Sequence, residues 1–315
     1  MENSLLYAGA MTRREITAYS ALTASAVVWG GSIVAQKLAL GSFSVVEVSV
    51  LRGLGALLLL IPFWWWQEGG RVRFTGQDVM VLALLGLGVL GNHLLTLLGL
   101  QYIAAAAAGV IIGSSPAITA FLSSLLIRDV PFRAVWIGCL VSFVGVALVS
   151  GNGSPATGSR PWLGGILIVL GLVSWALYTV GSRRIMERFS PLTVNWTTLL
   201  VSLVLQVPLL WLDPKVMTAG WESVQAGGWW TLAYLIVFAT ALGQQAWLHG
   251  VQGVGPSRAG VFVNLIPVSA LLLSALILGE SIGLREVIGI ALILAGVWLV
   301  NVQSAQYQNG PARST

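Results

Sequence analysis

Two stretches decide how this chain is read: GLQYIAAAAAGVIIGSSPAITAFLSSLLIRDVPFRAVWIGCLVSFVGVALVS (99–150) and GVQGVGPSRAGVFVNLIPVSALLLSALILGESIGLREVIGIALILAGVWLVN (250–301). Laid over each other with a constant shift of 151 residues they need no gap, and about fifteen of the fifty-two positions are identical. Shared Leu and Val carry little weight in so apolar a chain. The shared helix breakers carry more. Gly99, Gln101, Gly109, Pro116, Gly138 and Gly145 fall on Gly250, Gln252, Gly260, Pro267, Gly289 and Gly296. One unit has been used twice.

Composition says where such a unit can live. Of 315 residues, 57% are hydrophobic and 9% are charged, too few charges to clothe a soluble domain of this length. Apolar runs near bilayer length recur at 17–39, 45–65, 79–98, 103–126, 133–150, 162–181, 192–212, 229–249, 257–279 and 285–303. The expectation is an all-α integral membrane protein with ten crossings. The first run is too long for the core of a signal peptide and is expected to remain as a helix. A Gly/Ser/Pro stretch at 151–161 separates a first unit, 17–150, from a second, 162–303. Five is odd, so the second unit must enter the membrane in the opposite sense, and the repeat is expected to be inverted about an axis in the membrane plane. On that geometry Pro116 and Pro267 approach mid-depth from opposite sides.

The formal net charge of +5 raises nucleic acid as a partner, and the placement of the charges excludes it. With the N-terminus inside, Arg13, Arg14, Arg71, Arg73, Arg128, Arg133, Arg183, Arg184, Arg188, Arg258 and Arg313 lie on the inner side. Only Lys37, Arg160, Lys215 and Arg285 lie on the outer side, and Arg52 falls within the second run. The bias places both termini in the cytoplasm, across a plasma or inner membrane. Cys139 is alone and there are two histidines, so no disulfide and no thiolate metal site is expected.

The runs LGESIGLREVIGIALILAGVWLVN (278–301) and IRDVPFRAVWIGCLVSFVGVALVS (127–150), with Trp29-Gly30, Arg52 and the mid-helix prolines, resemble the EamA-type branch of the drug/metabolite transporter superfamily. Within it the chain looks most like the YddG-type exporters of aromatic amino acids. That resemblance implies a basket of ten helices, with the third, fourth, eighth and ninth central and the first and sixth contributing to the cavity. It also implies export of small metabolites by alternating access. A single chain holding both halves can act as a monomer, with the lipid bilayer and a small solute as its partners.

Polar groups inside a bilayer are costly and mark function. The candidate substrate residues are Trp29 and Gln36 in the first run, His93 in the third, Ser114 in the fourth, Trp175 and Tyr178 in the sixth, Gln244, Gln245 and Trp247 in the eighth, and Asn264 in the ninth. They offer donors, acceptors and aromatic surface without net charge, which suits an amino acid with an apolar side chain. Each also has a bland reading. Ser114 can bond its own helix, the amides can tie helices together, and a lone His93 is more often a satisfied bundle residue. Lys37, Glu47 and Arg52 cluster near the outer end of the first two runs and read first as a structural ion pair, with a gate or a carboxylate contact as the lesser reading.

Gly91, Gly109, Pro116, Gly243, Gly260 and Pro267 are candidate hinges. Gly86, Gly88 and Gly91 spell G-x-G-x-x-G, yet they lie inside an apolar helix rather than between a strand and a helix, so no dinucleotide cofactor is expected. No Asp or Glu falls deep in a run, which points to uncoupled, facilitated transport rather than proton-driven pumping. Of the alternatives from another class, a hydrolase would need a Ser/His/acid set or metal ligands, which two histidines, one cysteine and no deep acid do not supply. A receptor or scaffold would leave the duplicated helices unexplained. Cationic drugs would call for a deep carboxylate, and nucleotide sugars or phosphates for a deep cation.

Overall fold

The computed structural model describes residues 12–103, 108, 111–128, 133–150, 160–211, 221, 224–278 and 283–308, which contain helices and no strand. The first half supplies α1 (Arg13–Ala39), α2 (Val45–Glu68), α3 (Gly76–Leu100), α4 (Ser115–Leu126) and α5 (Arg133–Ser150). The second supplies α6 (Pro161–Ile185), α7 (Pro191–Leu210), α8 (Ala226–Val254), α9, which runs from Pro256 to Leu278, and α10 (Leu284–Gln308). Their boundaries follow from local chemistry. Thr12 with Glu15, Ser44 with Glu47 and Thr75 with Asp78 form capping boxes that satisfy the first free N–H groups of α1, α2 and α3. Proline opens α6, α7 and α9, where its missing N–H costs nothing. Gly69 ends α2 in the left-handed region at φ 54°.

Among the described residues, seven helices are long and apolar enough to cross a membrane. The sequence predicts ten crossings; α10 is not among the seven, and α4, with 12 residues, and the apolar part of α5, Val135–Leu148, are shorter than that criterion. The reason in α4 is local. Gly113 and Ser114 form a turn, and Pro116 sits in the first turn of a new helix instead of bending the middle of an old one. The ninth run breaks at the matching place. Pro256–Val261 tightens into a 3-10 turn at Phe262–Asn264 before Leu265–Leu278 continues, again just ahead of the proline. Pro116 packs near Gly260, whose added Cβ would lie 3.6 Å from the Pro116 Cα. The partner of that contact in the other half, Gly109, lies outside the described residues.

Close helix contacts are made through small residues. A Cβ on Gly145 of α5 would lie 2.6 Å from the carbonyl oxygen of Gly289 in α10, and one on Gly296 would lie 2.6 Å from that of Gly138. These four glycines are two repeat-related pairs, and each contact maps onto the other when the halves are exchanged. The two helices therefore run antiparallel here around a local two-fold relation. In α3, Gly86 packs on Val201, Gly88 on Ser174 and Tyr178, and Gly91 on Ser174. Those glycines admit α6 and α7 at short range. The outer faces carry exposed apolar side chains such as Leu58, Leu84, Leu140, Ile166 and Val204, the surface a lipid environment accepts.

Candidate functional site

Helix α8 is not uniform, and its irregularity organises the site. Between Ala226–Tyr234 and Gly243–Val254, residues Leu235–Leu242 wind as a π-helix. The Thr240 hydroxyl donates to the Leu235 carbonyl, five residues back, at 2.7 Å. Side chains of neighbouring helices bond to this wide turn. Trp29 Nε1 donates to the Ala239 carbonyl at 2.9 Å, Ser25 Oγ donates to the Gly243 carbonyl at 2.8 Å, and Arg52 Nε donates to Thr240 Oγ1 at 2.9 Å. One irregular turn thus fixes the middles of α1 and α2.

Above it lies a cavity of about 120 Å³, close to the ~150 Å³ of an engineered cavity that admits benzene. Trp29, Ser32 and Gln36 of α1 line it with Arg52 of α2, and so do Asn92, His93 and Thr96 of α3. Ser115, Trp175, Ala239 and Gln244 complete its polar and aromatic wall. Three pairs of lining residues are related by the 151-residue shift: His93 and Gln244, Ile112 and Val263, Ser115 and Ile266.

The cavity sits toward the C-terminal end of α1, and the other end is closed. Trp29, Trp175 and Trp247 make a layer with ring centroids 5.3 to 5.7 Å apart. Beyond it Tyr19 stacks on Phe262 at 5.7 Å, and Leu22 and Ala18 press against Gly250 and Gly253. Arg183 bonds the Gln252 carbonyl, and Gln252 Nε2 donates to the Met186 carbonyl at 3.2 Å.

The ten sequence-predicted substrate residues divide. Trp29, Gln36, His93, Trp175 and Gln244 line the cavity. Tyr178 and Trp247 stand behind it: the Tyr178 hydroxyl accepts from Gln244 Nε2 at 3.0 Å, and Trp247 Nε1 donates to Thr179 Oγ1 at 3.3 Å. Gln245 turns away and accepts from Asn195 Nδ2 at 3.1 Å. Ser114 caps its own turn through the Ile111 carbonyl at 2.7 Å, leaving the wall to Ser115. Asn264 is fully buried, and neither its Nδ2 nor its Oδ1 has a partner among the described residues.

Arg52 is the residue that sequence reasoning misplaced. It is no member of an ion pair with Glu47 or Lys37 among the described residues. Glu47 is held by its capping box and by Trp221 Nε1 at 2.8 Å, while Arg52 is buried at the cavity wall. Its position in the first third of α2 suggested an interfacial place, but its Nε donates to Thr240 in the π turn of α8. Asn92, beside His93 in α3, also stands on the cavity wall.

A family model for EamA-like transporters matches residues 16–151 and 162–302. The chain is 27% identical over 287 residues to an uncharacterized transporter, YyaM, of Bacillus subtilis, covering 90% of this chain and 93% of that protein. It is 25% identical to an uncharacterized inner membrane transporter, YedA, of Escherichia coli K12, covering 92% of each. A solved crystal structure superposes with a TM-score of 0.77 at 19% identity, over 93% of this chain and 99% of that one, a likeness of fold.

Proposed function

We propose, from the premise that this chain belongs to the EamA-like transporter family, that it is a multi-pass plasma-membrane carrier exporting amino acids with aromatic or neutral side chains. The observation that carries the substrate class is the cavity itself, of about 120 Å³, where the indoles of Trp29 and Trp175 stand beside side-chain amides. Indole faces accept an aromatic or apolar side chain, and amides accept or donate to its polar end.

Transport is by alternating access between two inverted five-helix units, 17–150 and 162–303, joined by a linker at 151–161. The repeat, the two separate matches to the family model and the reciprocal glycine contacts support that organisation. The excess of arginines on one side supports cytoplasmic termini. With that orientation the cavity opens outward and the layered tryptophans seal the inside. Hinge motion falls at the two breaks ahead of Pro116 and Pro267, and at Gly91, Gly243 and Gly260.

Among the described residues the cavity wall carries no acidic side chain, which supports movement down the solute gradient without proton coupling. Purified protein in liposomes, loaded with a panel of unlabelled amino acids and offered labelled ones, should show counterflow for phenylalanine or its relatives with or without a pH gradient. Failure of every amino acid overturns the substrate assignment, and strict need for the pH gradient overturns the uncoupled mechanism.

The deep position of Arg52 favours a second reading for the same carrier, a phosphorylated or otherwise anionic solute. Competition by phosphate esters in the same counterflow assay separates the two.

A further inference from the structure

Arg52 enters the cavity wall with no carboxylate among the described residues to balance it. Among the described residues its one hydrogen bond runs from Nε to the Thr240 hydroxyl, at 2.9 Å, and no acidic group lies within ion-pair distance. A guanidinium that is only 5% exposed is expensive to keep without a counter-charge. The Thr240 bond fixes the plane of the group and leaves both Nη nitrogens uncommitted. Those nitrogens are the ends of the fork that grips a carboxylate through two parallel bonds.

The amides across the cavity are oriented by their own bonds. Gln36 Nε2 donates to the Ser32 carbonyl at 3.2 Å, and Asn92 Nδ2 donates to the Gly171 carbonyl at 3.1 Å. A backbone carbonyl can only accept, so in both residues the nitrogen is the tied end and the amide oxygen is the free one. Gln244 Nε2 donates to the Tyr178 hydroxyl at 3.0 Å, a partner that, unlike a carbonyl, can also donate. None of the three oxygens receives a hydrogen bond among the described residues. The wall therefore offers one cationic fork, three amide acceptors and two indoles.

The geometry points to Arg52 as the carboxylate-binding residue of the transport site, with Gln36, Asn92 and Gln244 as acceptors for the substrate's ammonium group. This rests on the amino-acid reading above and deepens it. The site distinguishes an α-amino acid from the corresponding amine by charge, because an amine brings a second cation to Arg52 without an anion to neutralise it. A phosphate monoester fits less well, since its second negative charge meets acceptor oxygens instead of a second cation. Thr240 acts as a positioning residue for the guanidinium.

The test compares phenylalanine, phenethylamine, 3-phenylpropionate and phenyl phosphate as competitors of phenylalanine counterflow in liposomes holding the full chain. Wild type should be inhibited by phenylalanine, more weakly by 3-phenylpropionate, and least by phenethylamine. Arg52→Gln should weaken binding of phenylalanine and of 3-phenylpropionate by about tenfold to a hundredfold, the size of a lost charge-assisted bond. It should leave phenethylamine unchanged or improved. Arg52→Lys, which keeps charge and loses the fork, should fall between. Thr240→Val should weaken both carboxylates alike.

Equal inhibition of wild type by the amine and the amino acid overturns the proposal, as does an Arg52→Gln protein with wild-type affinity for phenylalanine. Stronger competition by phenyl phosphate than by 3-phenylpropionate overturns it in favour of phosphate. If Arg52→Gln does not fold, the wild-type ranking and Arg52→Lys decide. If wild type carries no amino acid, the transport reading fails separately. Quenching of tryptophan fluorescence by 3-phenylpropionate then decides the role of Arg52: saturable quenching that weakens in Arg52→Lys upholds it, and equal quenching overturns it.

Discussion

Trp29 and Trp175 meet edge to face with ring centroids 5.3 Å apart, and each stands eight residues before a basic residue, Lys37 and Arg183, in its own half. Both also touch Trp247, at 5.3 and 5.7 Å. Trp29 and Trp175 line the cavity with Trp247 behind them, and the layer is the first barrier to the closed end. Removing the Trp175 ring forfeits its contacts with Trp29, Trp247 and Tyr178, about 1.5–4.5 kcal/mol together, and leaves a void. Trp175→Ala should lower the rate of counterflow by about tenfold or more, and Trp175→Phe should recover much of the loss. Counterflow measured on protein of matched size-exclusion profile checks this.

Gly243 ends the π turn where the indole of Trp29 crosses it. An added Cβ would lie 2.8 Å from Trp29 Nε1 and 2.9 Å from the Phe238 carbonyl oxygen, both closer than real contacts allow. Gly243→Ala should therefore push Trp29 off the Ala239 carbonyl and cost about 1–3 kcal/mol. The expected outcome is a lower melting temperature in detergent with weaker substrate protection, read by tryptophan fluorescence. A variant that melts like wild type would show that α1 can step aside.

Gly145 and Gly296 let α5 and α10 touch along their backbones. Either residue replaced by leucine should destabilise by about 1–3 kcal/mol, and the two variants should resemble each other because the contacts are reciprocal. Thermal denaturation of both proteins tests the symmetry as much as the packing. A large cost for one and none for the other would break the correspondence between halves at this point.

Asn264 sits in the 3-10 turn of α9 with its amide buried and unbonded among the described residues. An amide in that condition costs about 1–3 kcal/mol. Asn264→Leu should raise the melting temperature while slowing transport, if the amide finds its partner only when the turn moves. Lower stability together with normal transport would show that the group is satisfied in the resting state.

The sequence made most of the architecture readable because membrane helices announce themselves by length and apolarity. Nine of the ten apolar runs correspond to helices that begin and end within a few residues of expectation, and the structure extends several ends by a polar turn, as at Gly76 and Ile185, because caps are hydrophilic. The tenth, 103–126, illustrates the limit. An apolar run with Gly113 and Pro116 reads as one helix by hydropathy, although the breakers end one segment and start another.

The site was legible in its residue types and less so in their facing. Gln244 and Gln245 are neighbours with opposite fates, one on the cavity and one on Asn195, because the π turn before them shifts the helical phase and no periodicity of 3.6 carries across it. Arg52 was misread for a related reason. Depth was inferred from distance to the helix end, whereas the Thr240 hydroxyl that receives Arg52 is placed by the same irregular turn.

That turn also gives α8 an unusual arithmetic. A π segment holds a residue more than an α-helix needs to span the same rise, so one residue could be removed from 235–242 and the remainder could close into an ordinary helix. Such a deletion would leave the fold its length, its apolar surface and the facing of Gln244 and Trp247, because a π turn absorbs its extra residue and hands on the helix nearly unrotated. The Ala239 carbonyl and the Thr240 hydroxyl, which hold Trp29 and Arg52, would move instead. Loss of a single codon here would produce a chain that inserts and packs but no longer recognises its cargo, whereas the same loss in α1 or α3 would turn everything beyond it by about 100°.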